Sequence, residues 1–206
     1  MKKIIDFLTK VGTLKDIRRR GWVLRGVKDP ESIADHTFRM VLASWLLGDK
    51  AKLNLKKVMK MALIHDLCEV YAGDSTPYDV FLPKGKKELK KAMLSWPGFS
   101  KAEKRKASLQ KYKKESKSLQ KLTVNLPPRL RGEIKSLWLD YERGLTKEGR
   151  FVRQIDRLEN LLQALEYWQR DKKFPINPWW VQIKELVDYP ELLEFMAALE
   201  KKYMRS

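Results

Sequence analysis

Hydrophobic residues recur three and four positions apart along most of the chain, which is the spacing of one face of an α-helix. Such runs occupy the N-terminal segment, a segment around Phe38, the stretch from Leu55 to Val70, a segment beginning at Phe151 and the C-terminal segment. Convincing β-strand alternation is absent, and glycine and proline residues mark the breaks between the runs. The pattern therefore predicts an all-α protein.

Length and composition favour one domain over residues 1–206, since 43% of the chain is hydrophobic. Residues 84–121 differ, because lysine dominates there and acids are rare. This segment also carries apolar residues that can anchor it, namely Leu89, Met93, Leu94, Trp96 and Phe99. We predict a lysine-rich helical insertion, a basic hairpin laid over the core and interrupted at Trp96-Pro97-Gly98.

The formal net charge of +18 predicts attraction to nucleic acid, anionic membranes or phosphorylated metabolites, and charge alone does not choose among them. Cys68 is the only cysteine, which excludes an internal disulfide and fits a reducing compartment. The N-terminal segment lacks the apolar run of a signal peptide. No stretch reaches the roughly 18 apolar residues that a membrane span needs. We expect a cytoplasmic protein that does not insert into membranes.

Two histidines are present, and each stands beside an aspartate, in Asp35-His36 and His65-Asp66. A continuous helix over Leu55 to Val70 would place His65, Asp66 and Glu69 on one flank. Charged groups among apolar neighbours are costly unless a partner satisfies them, and a divalent cation would do so.

Asp156 interrupts an apolar helical run and is the best candidate for a second carboxylate. Two imidazoles and two carboxylates suit a transition metal. Taken singly, a histidine on an apolar helix is more often a core residue, and an aspartate in such a helix is more often a surface residue. Their joint pattern favours a metal site.

The ordered series of motifs resembles the HD-domain hydrolase superfamily, and within it the 5'-deoxynucleotidase branch. The resemblance covers roughly Leu14 to Glu166. It is carried by Gly21–Val27, Glu31–His36, Ala62–Leu67, Glu69, Gly73–Pro77, Trp138, Tyr141, Glu142 and Phe151–Asp156. A bare His-Asp dipeptide is a weak signal, whereas this ordered series is specific.

The resemblance implies an α-helical bundle with a single metal centre, an activity on deoxyribonucleoside 5'-monophosphates, and a homodimer. The implied metal ligands are His36, His65, Asp66 and Asp156, and the metal would be Co, Mn, Fe, Ni, Cu or Zn. Glu69 and Asp74 match the acids that manage the attacking water and the leaving group. The residues expected at the substrate are Arg20, Trp22, Asp66, Asp74, Ser75, Thr76, Pro77 and Asp156.

This chain departs from its relatives at two places. Gly21 stands directly before Trp22, where bacterial relatives have a phosphate-orienting arginine, so Arg20, Arg19 or another cation must bind the phosphate. The second departure is the insertion, which adds residues around 85–100.

Two alternatives to a monophosphatase stay open. One is a phosphodiesterase or nucleoside-triphosphate hydrolase of the same superfamily, although the chain is short for the triphosphohydrolase type. The other is a nucleic-acid-binding module on an HD scaffold, since lysines that neutralise phosphates drive nonspecific binding. A solvated lysine-rich face is the favoured interpretation of the insertion.

Overall fold

The computed structural model describes residues 1–76, 79–93 and 100–204. Within these ranges the regular elements are helices, and Arg18 and Ser32 form one isolated antiparallel bridge. The α-helices are α1 (Lys2–Val11), α2 (Arg20–Leu24), α3 (Ile33–Lys50), α4 (Leu55–Ile64), α5 (Glu69–Ala72), α6 (Lys86–Met93), α7 (Lys101–Thr123), α8 (Pro128–Arg143), α9 (Lys147–Arg170), α10 (Asn177–Leu186) and α11 (Pro190–Met204). Two 3-10 helices, η1 (Gly12–Lys15) and η2 (Asp79–Phe81), complete the set. The all-α prediction is confirmed. None of the described helices combines the length and apolar character needed to cross a bilayer.

The chain builds two compact units that alternate along the sequence. Unit 1 contains Met1–Asp35 and Asp66–Lys135, and unit 2 contains His36–His65 and Ser136–Ser206. Two of the three boundaries fall inside the doublets Asp35-His36 and His65-Asp66. The single domain over 1–206 stays a prediction.

Unit 2 is organised around α9, against which α4, α10 and α11 pack. Thr146 caps this helix by accepting a hydrogen bond from the Gly149 backbone N–H. Gly149 lies so close to α8 that a Cβ would stand 2.2 Å from Asp140 Oδ1, so a larger residue would force the two helices apart. The buried apolar side chains of α9 are Phe151, Val152, Ile155, Leu158, Leu161, Ala164 and Leu165. Each large one stabilises the fold by about 1.5–3 kcal/mol.

Unit 1 is organised around the packing of the short helix α5 on the long helix α7. A capping box starts α7, because Ser100 and Glu103 each accept a hydrogen bond from the backbone N–H of the other. Leu119 and Leu122, in the C-terminal half of α7, are buried. Helices α6 and α7 lie within the lysine-rich segment. The predicted interruption at Trp96-Pro97-Gly98 lies outside the described residues, and the insertion itself stays a prediction.

The continuous helix predicted from Leu55 to Val70 is wrong. Helix α4 ends at Ile64, and α5 begins only at Glu69. Between them the backbone tightens, since the Glu69 N–H bonds the Asp66 carbonyl at 3.0 Å and the Val70 N–H bonds the Leu67 carbonyl at 3.3 Å. These three-residue hydrogen bonds interrupt the α-helical ladder. The shared helix flank inferred for His65, Asp66 and Glu69 therefore does not exist.

Most of the apolar run in α3 faces outward. Phe38 and Leu46 are 69% and 67% exposed, while Leu42 and Trp45 are 40% and 48% exposed. The buried face of α3 instead carries Met40 with the polar residues His36 and Ser44. The helix itself is confirmed, but its most hydrophobic face lies at the surface.

Candidate active site

Three of the predicted metal ligands meet inside unit 2. His36 lies on α3, His65 caps the end of α4, and Asp156 lies in the middle of α9. The Nε2 atom of His36 is 3.3 Å from Nε2 of His65 and 3.3 Å from Oδ1 of Asp156. All three side chains are buried. These residues form the three-residue cluster, and its ligand atoms point at one another.

The outer nitrogens of both histidines already have acceptors. Nδ1 of His65 contacts the Ala62 carbonyl oxygen at 2.7 Å. Since a carbonyl only accepts, this nitrogen carries the proton. Nδ1 of His36 contacts the Glu159 carboxylate and likewise donates to it. In the neutral tautomers, each ring therefore turns the lone pair of Nε2 toward the centre of the cluster.

Asp156 is oriented by two neighbours. Tyr141 donates its hydroxyl proton to Oδ2 at 2.9 Å, and Asn160 donates from Nδ2 to Oδ1 at 3.0 Å. The Tyr141 ring also meets the His65 ring edge-on, with centroids 5.2 Å apart. The carboxylate is thus held at a set angle, which is what a metal ligand or a substrate-orienting group requires.

An arginine on α3 fixes the acid behind His36. Arg39 donates from Nε to Glu159 at 2.8 Å and from Nη1 to Glu166 at 2.8 Å, and its Nη2 donates to Gln163. Burial disfavours the charged form of Arg39, but the carboxylates of Glu159 and Glu166 outweigh it and raise its pKa. Arg39 consequently holds Glu159 against His36.

Sequence reasoning did not identify Glu159, Asn160 or Gln163 as parts of the site. A signal for them exists in the chain. Polar residues recur at three- and four-residue spacing among the apolar residues of α9, namely Asp156, Glu159, Asn160 and Gln163. Such a stripe in a buried helix indicates polar groups that face a functional site rather than solvent.

The three-residue cluster fits a divalent transition metal. Two imidazole lone pairs and a carboxylate oxygen that lie within 4.8 Å of one another repel one another unless a cation lies among them. The carboxylate behind His36 and the carbonyl behind His65 are the outer partners that metal-bound histidines usually have. The donor set, two nitrogens and one oxygen, suits the first-row metals from manganese to zinc.

Replacing Glu159 with glutamine is expected to weaken metal binding by about 10- to 100-fold, since the change removes the acceptor that orients His36. Metal affinity would be measured by competition with a chelator of known affinity. Glu166→Gln is the matched control, because Glu166 contacts Arg39 in the same network. An equal loss of affinity in both variants would contradict the role of Glu159.

The acids predicted for proton transfer lie in unit 1, together with the predicted ligand Asp66. Asp66 accepts a hydrogen bond from Arg19, with Nη1 to Oδ2 at 3.1 Å. Asp74 accepts from the backbone N–H of Arg20 at 2.6 Å, and the Arg20 guanidinium lies 3.4 Å from Asp79. Arg19 and Arg20 are thus both next to predicted site acids, and both remain candidates for binding the phosphate.

Glu69 forms an acid cluster with Asp66 and Asp74 in unit 1. Its side chain is buried, and one carboxylate oxygen, Oε2, has no hydrogen-bond partner among the described residues. Burial raises the pKa of Glu69 well above its usual value, and Asp66 and Asp74 raise it further, while Arg19 and Lys111 oppose the rise. Burial also raises the pKa of Asp74. Both acids can therefore carry a proton nearer neutral pH than ordinary carboxyls do.

The backbone conformation between Glu69 and Asp74 requires a glycine. Gly73 ends α5 with φ at +68°, a conformation that side chains with a Cβ rarely adopt. The chain turns sharply there and presents Asp74 to the backbone N–H of Arg20. The Gly73-Asp74 pair singled out in the sequence is thus a structural unit.

Trp22 is 1% exposed and donates its indole N–H to Glu31 at 2.8 Å. Its ring lies in the interior, so its predicted contact with substrate stays a prediction. Thr76 donates to Asp79 Oδ1 at 2.7 Å, and Ser75 precedes it in the same partly exposed loop. Pro77 lies outside the described residues.

Cys68 is buried, and burial raises the pKa of its thiol, which argues against a nucleophilic role.

Comparison with known proteins identifies the family of this chain. A family model described as HD domain matches residues 11–184. The 5'-deoxynucleotidase HDDC2 of Xenopus laevis is 31% identical over 199 residues, which cover 96% of this chain and 86% of the relative. The 5'-deoxynucleotidase hdd1 of Schizosaccharomyces pombe is 34% identical over 175 residues, covering 83% of this chain and 74% of the relative.

Solved structures support the fold. A Pyrococcus horikoshii protein matches with a TM-score of 0.70 and 25% identity, covering 98% of each chain. A predicted metal-dependent phosphohydrolase from Magnetospirillum magnetotacticum matches with a TM-score of 0.66 and 23% identity, covering 99% of this chain and 92% of its own. Since the family model spans most of the sequence, this all-α chain belongs to the HD domain family.

Proposed function

We propose that this chain is a metal-dependent 5'-deoxynucleotidase, which hydrolyses deoxyribonucleoside 5'-monophosphates to deoxynucleoside and phosphate. The observation that carries the proposal is the convergence of the His36, His65 and Asp156 ligand atoms in a buried cluster. The names of the relatives supply the reaction class, since several are called 5'-deoxynucleotidases.

The proposed metal ligands are His36, His65, Asp66 and Asp156. The geometry of unit 2 supports His36, His65 and Asp156. Asp66 is added because it follows His65 directly in the chain and belongs to the motif Ala62–Leu67. The cofactor is a divalent transition metal, one of Co, Mn, Fe, Ni, Cu or Zn. Substrate contacts are proposed for Arg20, Trp22, Asp74, Ser75, Thr76 and Pro77, as well as for Asp66 and Asp156.

A bound metal supplies Lewis acidity, polarising a phosphoryl oxygen and lowering the pKa of water toward about 7. The chain supplies the proton transfers. One of Glu69 and Asp74 accepts a proton from the water whose oxygen bonds to phosphorus. The other donates a proton to the 5'-oxygen of the sugar as the phosphorus–oxygen bond breaks. The raised pKa values of both acids suit this exchange near neutral pH.

Phosphate release from dAMP, dCMP and dTMP in the presence of cobalt or manganese is the expected result. Release is expected to stop when a chelator removes the metal. Hydrolysis of only cyclic nucleotides or nucleoside triphosphates would favour the phosphodiesterase or triphosphohydrolase alternative. No hydrolysis of any nucleotide, combined with salt-sensitive binding to oligonucleotides, would favour the nucleic-acid-binding alternative.

A homodimer is also part of the proposal. The exposed apolar face of α3, which includes Phe38, Trp45 and Leu46, supports it, because such faces are commonly covered in assemblies. The adjacent tryptophans Trp179 and Trp180, at the start of α10 in unit 2, are buried and so add no exposed apolar surface.

A further inference from the structure

Helix α1 has an apolar stripe that the protein covers only in part. The stripe contains Ile4, Ile5, Phe7, Leu8 and Val11, whose spacing of three and four positions places them on one side of the helix. Phe7 and Val11, at one edge of the stripe, are half-buried, whereas Ile5 and Leu8, at the other edge, are 62% and 59% exposed. One half of the stripe therefore packs on the protein, and the other half faces water.

Lysines accompany the exposed half of α1. Lys2, Lys3 and Lys10 are exposed, and Asp6 is the only acid of this helix. A helix that carries aliphatic residues on one side and mainly lysines on the other is typical of segments that lie in the interface of a membrane. The partner of α1 then depends on what its neighbours present beside it.

Helix α7, against which α1 packs, adds a second cationic feature. Five of its lysines are exposed, namely Lys106, Lys113, Lys114, Lys117 and Lys121. They recur four, seven and eight positions apart, so they lie on one side of the helix and form the lysine stripe. Unit 1 thus places a row of lysines on a neighbour of α1.

The two acids of α7 are engaged away from the lysine stripe. Glu115 is buried and contacts Lys111, which is turned inward so that only 26% of its side chain is exposed. Glu103 lies in the first turn, where it accepts hydrogen bonds from the backbone N–H and the hydroxyl of Ser100. The lysine stripe therefore keeps a positive charge that attracts anionic surfaces.

We propose that the exposed apolar half of α1 and the lysine stripe of α7 form a surface that binds an anionic phospholipid membrane. Such a membrane offers an acyl boundary for Ile5 and Leu8 and negatively charged headgroups for the lysines. The binding is peripheral, with the apolar side chains reaching about 5–10 Å into the headgroup region.

Charge and side-chain type favour a membrane over the other occupants of this surface. Nucleic acid would pair with the lysines, but it binds such surfaces by stacking its bases on aromatic side chains, whereas Ile5 and Leu8 are aliphatic. A second copy of the chain would bring another lysine stripe with it, and like charges repel. Only a membrane satisfies the apolar and the cationic parts together.

The apolar part is tested with I5S/L8S, which removes the exposed aliphatic side chains and leaves every charge in place. The matched control is L145S/V181S, because Leu145 and Val181 of unit 2 are 58% and 56% exposed. Thermal unfolding verifies that each variant is folded.

The cationic part is tested with K113Q/K117Q, which removes two charges of the lysine stripe. The control K56Q/K201Q removes two exposed lysines of unit 2, so both variants have the same net charge. A general effect of net charge would weaken binding equally in the two variants, whereas a defined surface responds to the first only.

The measurement is co-sedimentation of the full manganese-loaded chain, dialysed free of unbound metal, with vesicles of phosphatidylcholine that contain about 30% phosphatidylserine. Wild type is expected to bind these vesicles, to release them as salt rises, and to bind pure phosphatidylcholine far more weakly. I5S/L8S is expected to weaken binding by about 10- to 100-fold, and K113Q/K117Q by about 5- to 30-fold. Both controls are expected to bind as wild type does.

Four results would overturn the proposal. One is wild-type vesicle binding in I5S/L8S or in K113Q/K117Q, and another is equal binding to pure phosphatidylcholine. A third is tighter binding to oligonucleotides that I5S/L8S leaves unchanged, which would assign the lysine stripe to nucleic acid. The fourth is a change from dimer to monomer in I5S/L8S, seen by sedimentation velocity without vesicles, which would assign the apolar half of α1 to a second copy.

Discussion

Replacing His65 with alanine is expected to abolish both metal binding and phosphate release while the helical circular dichroism signal stays that of the wild type. His65 supplies one of the three converging ligand atoms, and its Nδ1 is held by the Ala62 carbonyl at 2.7 Å. Losing the imidazole leaves three of the four proposed ligands, His36, Asp66 and Asp156, and this smaller set is expected to bind a divalent ion far more weakly. Metal content after dialysis and phosphate release from dAMP are the measurements.

Asp66→Ala extends the same experiment to the ligand in unit 1, and it too is expected to be inactive and folded. Asp49→Ala is the matched control, because Asp49 is an exposed aspartate on α3. Full activity of metal-depleted Asp66→Ala would refute the assignment of Asp66 as a ligand. Wild-type metal content in His65→Ala would refute the three-residue cluster as the metal site.

Replacing Glu69 with glutamine is expected to lower kcat by about 10²- to 10⁴-fold, the usual contribution of a general acid or base. Metal content should be unchanged, since Glu69 is not among the proposed ligands. The Glu69 side chain is 2% exposed with one oxygen that has no hydrogen-bond partner, so the amide fits the same space without a strong new contact. Steady-state kinetics on metal-loaded protein give kcat.

The stability of Glu69→Gln provides an independent measurement. Because the folded state raises the pKa of Glu69, the folded protein holds this proton more tightly than the unfolded chain does. Stability from this group is present below the ordinary glutamate pKa of about 4.3 and is lost as the pH rises toward the raised value. Metal-free Glu69→Gln is therefore expected to lose this dependence and to unfold at no lower temperature than wild type near neutral pH.

Glu185→Gln is the control for both measurements, because Glu185 is an exposed glutamate on α10. Unchanged kcat in Glu69→Gln would remove Glu69 from the proton transfers and leave Asp74 as the remaining candidate. A large fall in unfolding temperature would instead indicate that the ionised carboxylate stabilises the fold.

Helix content could be predicted because periodicity is a local property. The runs in α1, α3, α4, α9 and α11 follow from residues a few positions apart, and each became a helix. The prediction of a continuous helix failed between Ile64 and Glu69. The change there from α-helical to three-residue hydrogen bonds leaves the apolar spacing of the sequence unchanged, so the spacing does not reveal it. The exposure of the apolar face of α3 could not be predicted for another reason. Periodicity reveals that a helix has an apolar face, but it does not reveal which face another element covers.

The sequence by itself determined the chemistry available to this protein: two histidines, each beside an aspartate, an aspartate inside an apolar helix, and acids at Glu69 and Asp74. Only the tertiary structure decided which of these groups meet. His36 and Glu159 are 123 residues apart in the chain, yet the buried carboxylate sets the direction of the imidazole lone pair. Lys111 likewise looks like any other lysine of its segment until α7 packs on α5. Residue type fixes what a side chain can donate or accept, whereas packing fixes its neighbours and its access to water, and these determine its charge and its role.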